Sequence, residues 1–305
     1  MLYHKVPHTD LEISVIGLGT WVLGGDVWGG SSEKDSLEAV KTALEQGINF
    51  IDTAPIYGHG QAERIVGKAI KGKREKVILA TKCGLVTQGK KVLINLSIDS
   101  IKREIEESLK RLQVDYIDLY QCHWPDPNTP MEWTMEALTQ LKEEGKIRYL
   151  GVCNFPQSLL KRSLELAQVS TLQSQYSLLE RSLENELIPF CRQKEIGILA
   201  YGVLGGGILT GKYTSLPQFP QGDARTFFYR FYDKEKFENI QRRLKIFQKD
   251  SLPLNQTAIN FIRQQPAVAT VLVGCRTVQQ VLDNIGAVSW ELSHTQLELL
   301  QAVRM

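Results

Sequence analysis

The hydrophobic pattern of the chain alternates between two periods from one end to the other. Eight short apolar runs rich in β-branched residues begin at Val15, Ile48, Val77, Tyr116, Ile147, Ser170, Ile196 and Val268. Several have almost no polar interruption, which is typical of parallel strands buried on both faces. Segments with the period of amphipathic helices lie between them. The alternation predicts an α/β chain in which each strand is followed by a helix.

The helical segments carry recognisable ends. A capping box at 32–35 begins the first helix, and Gly47 suits the position just after its last turn. A second helix follows Asp99 with an apolar stripe at intervals of three and four. Further helices are predicted over 131–144, 156–167, 184–194, 234–249, 253–264, 277–286 and 293–303.

Eight strands separated by helices predict a closed (β/α)8 TIM barrel that occupies residues 1–305 as a single domain. A doubly wound open sheet is the structural competitor. Its dinucleotide-binding turn is incomplete here, because the motif that starts at Gly17 and Gly19 lacks a third glycine. Two short runs at 3–6 and 11–14 flank a turn and predict an N-terminal β-hairpin that caps the barrel bottom. The segment 293–303 predicts a C-terminal helix.

Composition narrows the class of partners. The 305 residues carry 36 Lys+Arg against 34 Asp+Glu, a formal charge of +2, and 43% of them are hydrophobic. This composition supports a substantial core, and the absence of basic runs argues against nucleic acid as the main partner. The longest uncharged stretch, 196–211, is too short to span a membrane. We expect a soluble, cytoplasmic protein that is a monomer or a weak homo-oligomer.

The cysteines and histidines indicate no metal site. The five cysteines are widely spaced and form no Cys-x-x-Cys pair, which argues against a disulfide framework and a zinc site. His4 and His8 are separated by a proline and precede the barrel. A reducing compartment fits this pattern best.

Polar residues collect where the predicted strands end. Asp52, Lys82, His123, Asn154 and Tyr201 each close or follow a different apolar run. The carboxyl ends of barrel strands meet at one face, where the chemistry of this fold is found. Each residue alone also has an ordinary structural interpretation, such as a turn cap, a rim lysine or a hydrogen-bonded histidine. Their coincidence at one face favours a functional site.

One combination of these residues suggests acid–base chemistry. A tyrosine has a reference pKa of about 10, but an adjacent ammonium favours the phenolate and lowers that pKa. Lys82 can supply this charge to Tyr57, and Asp52 can hold the lysine in place. His123 can orient a carbonyl oxygen. Such a set would protonate an oxyanion while a hydride reaches the carbon.

At these residues the sequence resembles the aldo-keto reductase superfamily over essentially the whole chain. Matching stretches include GLGTW at 17–21, FIDTAPIYGHGQAERIVGKAI at 50–70, DYIDLYQCHWPDP at 115–127 and GCRTVQQVLDNIGA at 274–287. They are most similar to the bacterial general-stress and inositol-operon branch, which is related to potassium-channel β subunits. The resemblance implies an NADP-dependent oxidoreductase that reduces aldehydes and ketones to alcohols.

The resemblance also implies roles for individual residues. Tyr57 would be the general acid in reduction and the base in oxidation, Lys82 would adjust its pKa, Asp52 would be the partner of the lysine, and His123 would orient the carbonyl. The implied small-molecule carbonyl substrate would lie in a pocket of aromatic residues. That pocket comprises Trp21, Trp28, Tyr57, His123 and Trp124.

The implied cofactor is NADPH or NADP+. Tyr201 would stack on the nicotinamide, and Asn154 and Gln173 would hydrogen-bond its carboxamide, whereas Cys153 replaces the usual serine of the family. Arg276 matches the position that contacts the adenosine 2′-phosphate, which favours NADPH over NADH. The full set of implied cofactor contacts is Thr20, Trp21, Asp52, Cys153, Asn154, Gln173, Tyr201, Gly202, Leu204, Gly206, Lys212, Arg225, Gly274, Arg276, Gln280, Asp283 and Asn284.

Two other functions stay open at this level. The channel relatives suggest an NADP(H)-binding redox-sensing subunit with little turnover. A Schiff-base aldolase that uses Lys82 is a second alternative, since such enzymes also place a lysine at the end of a barrel strand.

Overall fold

The computed structural model describes residues 1–25, 27–30, 32–89, 91–247 and 252–302. The strands in chain order are Tyr3–Lys5 (β1), Glu12–Ser14 (β2), Ile16–Gly19 (β3), Phe50–Asp52 (β4), Ile78–Cys83 (β5), Leu85–Gln88 (β6), Lys91–Ile94 (β7), Ile117–Cys122 (β8), Ile147–Cys153 (β9), Val169–Gln175 (β10), Gly197–Tyr201 (β11) and Val268–Gly274 (β12). A closed barrel is formed by β3, β4, β5, β8, β9, β10, β11 and β12. Its strands are parallel, and β12 closes the ring on β3 with Val271 aligned on Ile16. The predicted (β/α)8 barrel is confirmed.

The helices agree closely with the apolar stripes. They are Glu33–Glu45 (α1), Gln61–Ile70 (α2), Ile98–Leu112 (α3), Met131–Glu143 (α4), Gln157–Leu166 (α5), Leu187–Gln193 (α6), Ala224–Phe227 (α7), Lys234–Phe247 (α8), Leu254–Arg263 (α9), Val278–Ile285 (α10) and His294–Ala302 (α11). Ser32 caps α1 as predicted, since its side chain accepts the Asp35 amide. Positions 248, 249 and 303 of the predicted helices lie outside the described residues. Within the described ranges, no helix combines the length and the apolar character that crossing a bilayer requires.

Three helical features differ from the sequence pattern. The predicted helix 184–194 begins only at Leu187, because a separate 3-10 turn occupies Ser182–Glu184. The helices α2 and α7 were not predicted. In α2 the pattern is interrupted by Gly67, which lies where α2 approaches α3: a Cβ there would be 2.5 Å from the Leu112 carbonyl oxygen. Close helix packing therefore explains the glycine.

The short hairpin of β6 and β7 was also missed. Leu85 pairs with Ile94 and Gln88 with Lys91, outside the barrel. The side chains of β7 are exposed on both faces, so the run lacks the alternation that marks a half-buried strand.

The hairpin of β1 and β2 closes the amino-terminal end of the barrel, as predicted. Val6, Leu11 and Ile13 are buried and belong to one cluster with barrel residues that include Phe50 and Leu119. These apolar side chains fill the lower barrel interior, and a larger apolar layer separates the barrel from its helices. The polar interior positions are consequently left at the opposite, carboxyl end.

Candidate active site

The carboxyl ends of the barrel strands open into one cavity of about 1080 Å³. Asp52 ends β4, Lys82 is the second-to-last residue of β5, and His123 follows β8 directly. Tyr57 lies in the loop between β4 and α2. Asp52, Tyr57 and His123 line the cavity, and the Lys82 side chain lies behind them with 0% exposure. The fold therefore brings together the four residues for which acid–base chemistry was predicted.

Lys82 is the centre of a hydrogen-bond network. Its Nζ donates to Asp52 Oδ2 at 2.6 Å, to the Thr53 carbonyl oxygen at 2.9 Å and to the Tyr57 hydroxyl at 3.2 Å. An ammonium has three N–H donors, so these contacts use all of them. A buried charge is stable only when it is paired and hydrogen-bonded, and both conditions are met here.

The same contacts set the protonation states. Burial raises the pKa of Tyr57 to about 12, because desolvation of the phenolate outweighs the lowering effect of Lys82. Burial by itself lowers the pKa of Lys82, but the Asp52 carboxylate and Tyr57 more than compensate and raise it above its usual value. Near neutral pH, a neutral phenol therefore lies beside a fixed ammonium.

His123 meets Tyr57 edge-on, with ring centroids 5.8 Å apart and planes at 84°. Burial, and then the positive charge of Lys82, hold the pKa of His123 well below its usual range. The neutral ring has one N–H donor and one acceptor nitrogen. It can therefore donate a hydrogen bond to a ligand without carrying a charge.

Two amides hold the second carboxylate oxygen of Asp52. Gln121 Nε2 donates to Asp52 Oδ1 at 3.2 Å, and Gln173 Nε2 donates to the same atom at 2.7 Å. Gln173 was a predicted site residue and lines the cavity. Gln121 was not predicted, although side chains alternate along a strand and Gln121 has the same parity in β8 as the interior residue Leu119. That alternation is the signal that would have identified it.

Cys153 lies behind the cavity wall. Its side chain is fully buried outside the cavity lining, and its Sγ donates to Gln121 Oε1 at 3.6 Å. The thiol points to the hydrogen-bond network behind the cavity wall. The cofactor contact that the resemblance implies for this residue stays a prediction.

Tyr201 and Asn154 form a hydrogen-bonded pair in the cavity wall. The Tyr201 hydroxyl donates to Asn154 Oδ1 at 2.7 Å, and Asn154 Nδ2 donates to the His123 carbonyl oxygen at 3.1 Å. Asn154 has a φ of 61°, a left-handed conformation that asparagine adopts more readily than most residues. Each end of its amide makes one of these hydrogen bonds, which leaves one N–H donor and one lone pair for a ligand.

Thr20 and Trp21 also line the cavity. Thr20 Oγ1 donates to the Asp52 carbonyl oxygen at 3.0 Å. Trp21 stacks on Tyr57 with ring centroids 5.9 Å apart and an interplanar angle of 22°. The indole therefore limits the movement of the tyrosine ring.

The loop after β11 gives a glycine-rich wall to which Gly202, Leu204 and Gly206 contribute. Gly206 has a φ of 65°, and a Cβ there would lie 2.9 Å from the Tyr229 ring. Only glycine satisfies both constraints without a shift of the ring. Lys212 lies beside this wall with Nζ 4.7 Å from the Tyr213 ring centroid, and it forms no ion pair with a carboxylate of the described residues.

Arg225 lies in the cavity lining, but its charge is already paired. Its Nε and Nη2 donate to the two carboxylate oxygens of Asp223 at 2.7 and 2.5 Å. Nη1 donates to the Tyr213 hydroxyl at 3.1 Å. Because Asp223 neutralises the guanidinium, Arg225 adds little net positive charge to the cavity.

The end of β12 and the start of α10 form the far wall. Gly274, Arg276, Gln280, Asp283 and Asn284 all line the cavity, in agreement with the predicted grouping. Arg276 Nη1 donates to the carbonyl oxygens of Trp28 at 2.8 Å and Gly30 at 3.1 Å. Two further lining residues from α9 were not predicted: Asn255 and Gln256.

Aromatic rings enclose the catalytic end. Trp21 packs edge-on against Trp28 at 5.1 Å and against Phe228 at 5.2 Å. The predicted pocket residues Trp21, Trp28, Tyr57, His123 and Trp124 all line the same cavity. The unpredicted hairpin of β6 and β7 adds another wall, with Leu85, Thr87, Gly89 and Val92.

Comparison with known proteins places the chain in a family. Residues 15–304 match the Aldo/keto reductase family. The chain is 41% identical over 302 residues to aldo-keto reductase YhdN of Bacillus subtilis (strain 168), which covers 96% of this chain and 90% of the relative. It is 35% identical over 318 residues to the NADH-specific methylglyoxal reductase of Escherichia coli (strain K12), which covers 97% of each. The structure of a glycerol dehydrogenase from Gluconobacter oxydans is similar, with a TM-score of 0.89, 35% identity and coverage of 98% of this chain and 94% of that one. The chain therefore belongs to the aldo/keto reductase family of oxidoreductases.

Proposed function

We propose that this aldo/keto reductase reduces aldehydes and ketones to alcohols with NADPH, and that Tyr57 is its general acid. The observation that carries the proposal is the position of Lys82 Nζ, which lies 3.2 Å from the Tyr57 hydroxyl and 2.6 Å from Asp52 Oδ2. A neutral phenol beside a buried ammonium can give up its proton, because the charge stabilises the phenolate that remains. In alcohol oxidation the same phenolate would be the base.

The residues of the cavity fit a nicotinamide dinucleotide. Tyr201 offers a flat aromatic face, and the glycine-rich wall at 202–207 lets a phosphate chain approach the backbone. Lys212 and Arg276 supply positive charge along the same cavity. When bound, the cofactor supplies the hydride for carbonyl reduction.

The preference for NADPH rests on Arg276. Of its guanidinium nitrogens, Nη1 bonds to the main chain of Trp28 and Gly30. The planar arrangement of its other donors suits a phosphate. Asp283 lines the same wall, and its negative charge would repel a phosphate. The Escherichia coli relative is named as NADH-specific. Cofactor preference therefore has to be measured with both nucleotides.

The chain's own residues then have distinct tasks in catalysis. His123 donates a hydrogen bond to the substrate carbonyl oxygen and holds it near the Tyr57 hydroxyl. Tyr57 transfers its proton to that oxygen, and Lys82 stabilises the resulting phenolate. Asp52 keeps Lys82 in position. Proton transfer of this kind contributes about 10² to 10⁴-fold to the rate.

The substrate is a small-molecule carbonyl compound that fits between aromatic walls. Trp21, Trp28 and Phe228 surround Tyr57 and favour an apolar or aromatic substituent. The names of the relatives point to methylglyoxal and glycerol, which are small and polar. A substrate panel should therefore include both kinds.

Schiff-base chemistry suits Lys82 poorly. A Schiff-base lysine has to be a neutral amine that a carbonyl can reach. Here Asp52 and Tyr57 raise the pKa of Lys82, and its side chain has 0% exposure. Borohydride trapping with a substrate should accordingly leave Lys82 unmodified.

The test is a carbonyl panel assayed with NADPH and NADH in parallel, for the wild type and Tyr57→Phe. We expect NADPH consumption by the wild type, a loss of at least about 10²-fold in kcat for Tyr57→Phe, and nearly unchanged cofactor binding. Tight NADPH binding without turnover on any carbonyl would reject the proposal and favour a redox-sensing subunit.

A further inference from the structure

We infer that Gln121 is a positioning residue of this site. It holds the Asp52 carboxylate so that Lys82 Nζ stays within hydrogen-bond distance of the Tyr57 hydroxyl. The inference rests on the proposed function, because it concerns the same proton transfer. Gln121 touches neither Tyr57 nor Lys82 through a hydrogen bond of the described structure. Its effect is exerted through Asp52, to which its Nε2 donates at 3.2 Å.

The Asp52 carboxylate depends on protein donors for its orientation. Its side chain is 4% exposed, so water contributes little. Oδ2 accepts from Lys82 at 2.6 Å, and Oδ1 accepts from the two amides of Gln121 and Gln173. A carboxylate held at one oxygen only could turn about its Cβ–Cγ bond, since that torsion is broad. Donors at Oδ1 prevent the rotation that would draw Lys82 away from Tyr57.

The two amides differ in their access to ligands. Gln173 lines the cavity, so a bound molecule can compete for its amide group. Gln121 is fully buried outside the cavity lining. Its bond to Asp52 therefore persists when the cavity is filled. Gln121 is the donor that holds Asp52 during turnover.

The amide of Gln121 is itself held in a defined orientation. Cys153 Sγ donates to its Oε1 at 3.6 Å, which leaves Nε2 to face Asp52. Gly151 is the register partner of Gln121 in the neighbouring strand β9. A Cβ at Gly151 would come within 3.0 Å of Gln121 Cγ and 2.4 Å of Thr171 Oγ1. The glycine thus provides the space that the amide occupies.

Two substitutions separate positioning from packing. Gln121→Met keeps the length of the side chain and removes both hydrogen bonds. Gln121→Glu keeps the shape but replaces the N–H donor by a carboxyl group that donates to Asp52 only when it is protonated. Gln264→Met is the matched control, because the Gln264 amide also makes two hydrogen bonds, to the main chain of Leu292 at 3.2 and 2.9 Å.

We expect kcat of Gln121→Met to fall by about 10 to 100-fold, because a small displacement of a reacting group lowers the rate by this order. The KM for the carbonyl compound and the KM for NADPH should change little. For Gln121→Glu we expect kcat to rise by about tenfold or more between about pH 9 and about pH 6, as the introduced carboxyl gains the proton that restores a donor. The wild type and the Gln264→Met control should show neither change. The recovery supports positioning together with the loss in Gln121→Met, because the introduced carboxylate also adds a negative charge near Asp52 and Lys82.

The inference is overturned if Gln121→Met and Gln121→Glu both keep wild-type kcat, or if Gln121→Glu has the wild-type pH profile. If Gln121→Met does not fold, the distance from Lys82 Nζ to the Tyr57 hydroxyl in a crystal structure of Gln121→Glu at high pH decides. An inactive wild type would instead be a failure of the proposed function. Crystal structures of the wild type and Gln121→Glu at high pH then decide, since an unchanged distance of 3.2 Å between Lys82 Nζ and the Tyr57 hydroxyl overturns the inference.

Discussion

Arg276 is bonded to the main chain of Trp28, and this contact joins the two ends of the cavity. Its Nη1 donates to the Trp28 carbonyl oxygen at 2.8 Å. Trp28 packs edge-on against Trp21 at 5.1 Å, and Trp21 stacks on Tyr57 at 5.9 Å. A residue proposed to bind the cofactor phosphate therefore also supports the aromatic wall beside the proposed general acid.

Replacing Arg276 with methionine should weaken NADPH binding by about 10 to 100-fold, because a hydrogen bond to a charged group contributes roughly 1.5–3 kcal/mol. NADH binding should change much less, and the KM for the carbonyl should rise as Trp28 loses its support. Titration of tryptophan fluorescence with each nucleotide measures the first effect. Arg276→Lys is the control that retains the charge. Equal losses for both nucleotides would contradict a contact with the 2′-phosphate, which only NADPH carries.

Removing the ammonium should affect stability and activity separately. Lys82→Met leaves the Asp52 carboxylate buried without its cation, which should lower the free energy of unfolding by about 3–5 kcal/mol. Lys82→Met combined with Asp52→Asn should recover much of that loss in urea unfolding but none of the turnover. Recovery of kcat in the double variant would show that Lys82 has no part in proton transfer.

The pH dependence should follow Tyr57 and not His123. Since burial raises the pKa of Tyr57 to about 12, the proton donor stays protonated through the neutral range. The chemical step of reduction should then be flat between about pH 6 and about pH 9, whereas alcohol oxidation should rise by about tenfold per pH unit, because it needs the phenolate. The pKa of His123 lies well below its usual range, so no inflection is expected near its ordinary value. A bell-shaped profile centred near neutrality in single-turnover measurements would disagree with this assignment.

Glu104 should make the protein less stable as the pH rises. Burial raises the pKa of Glu104 from 4.5 to about 7, despite hydrogen bonds from the Gly84 amide and Ser100. Between these values the folded state binds a proton that the unfolded state has lost, so stability falls by up to about 3 kcal/mol as pH increases through this interval. Glu104→Gln should remove that slope in denaturant unfolding at several pH values. A variant that keeps the wild-type slope would assign the effect to another group.

The thiols should be unreactive in the native protein. All five cysteines are free and buried, and burial raises the pKa of Cys191 and Cys275 to about 12. Ellman's reagent should label few thiols per chain before denaturation and all five afterwards. Mild peroxide should leave the activity unchanged. Rapid labelling with loss of turnover would instead support the redox sensitivity of a thiol near the site.

Several features of the site were accessible from the pattern of residues alone. Asp52, Lys82 and His123 stand at the ends of apolar runs, and the carboxyl ends of parallel barrel strands share one face. Gln121 could have been identified by the same alternation, since it has the same strand parity as His123. The hairpin of β6 and β7 could not, because its exposed strands have no buried face to produce a period.

The sequence by itself determined the eight strands, the hairpin below them and the face at which the polar side chains meet. These features depend on local periodicity and on position within each run, and both can be read along the chain. Only the tertiary structure decided that Asp223 neutralises Arg225 and that Cys153 turns toward Gln121. It also decided that two amides share one oxygen of Asp52. Each of these outcomes is a side-chain hydrogen bond, whose partner depends on distance and orientation in the folded chain and leaves no periodic trace in the sequence.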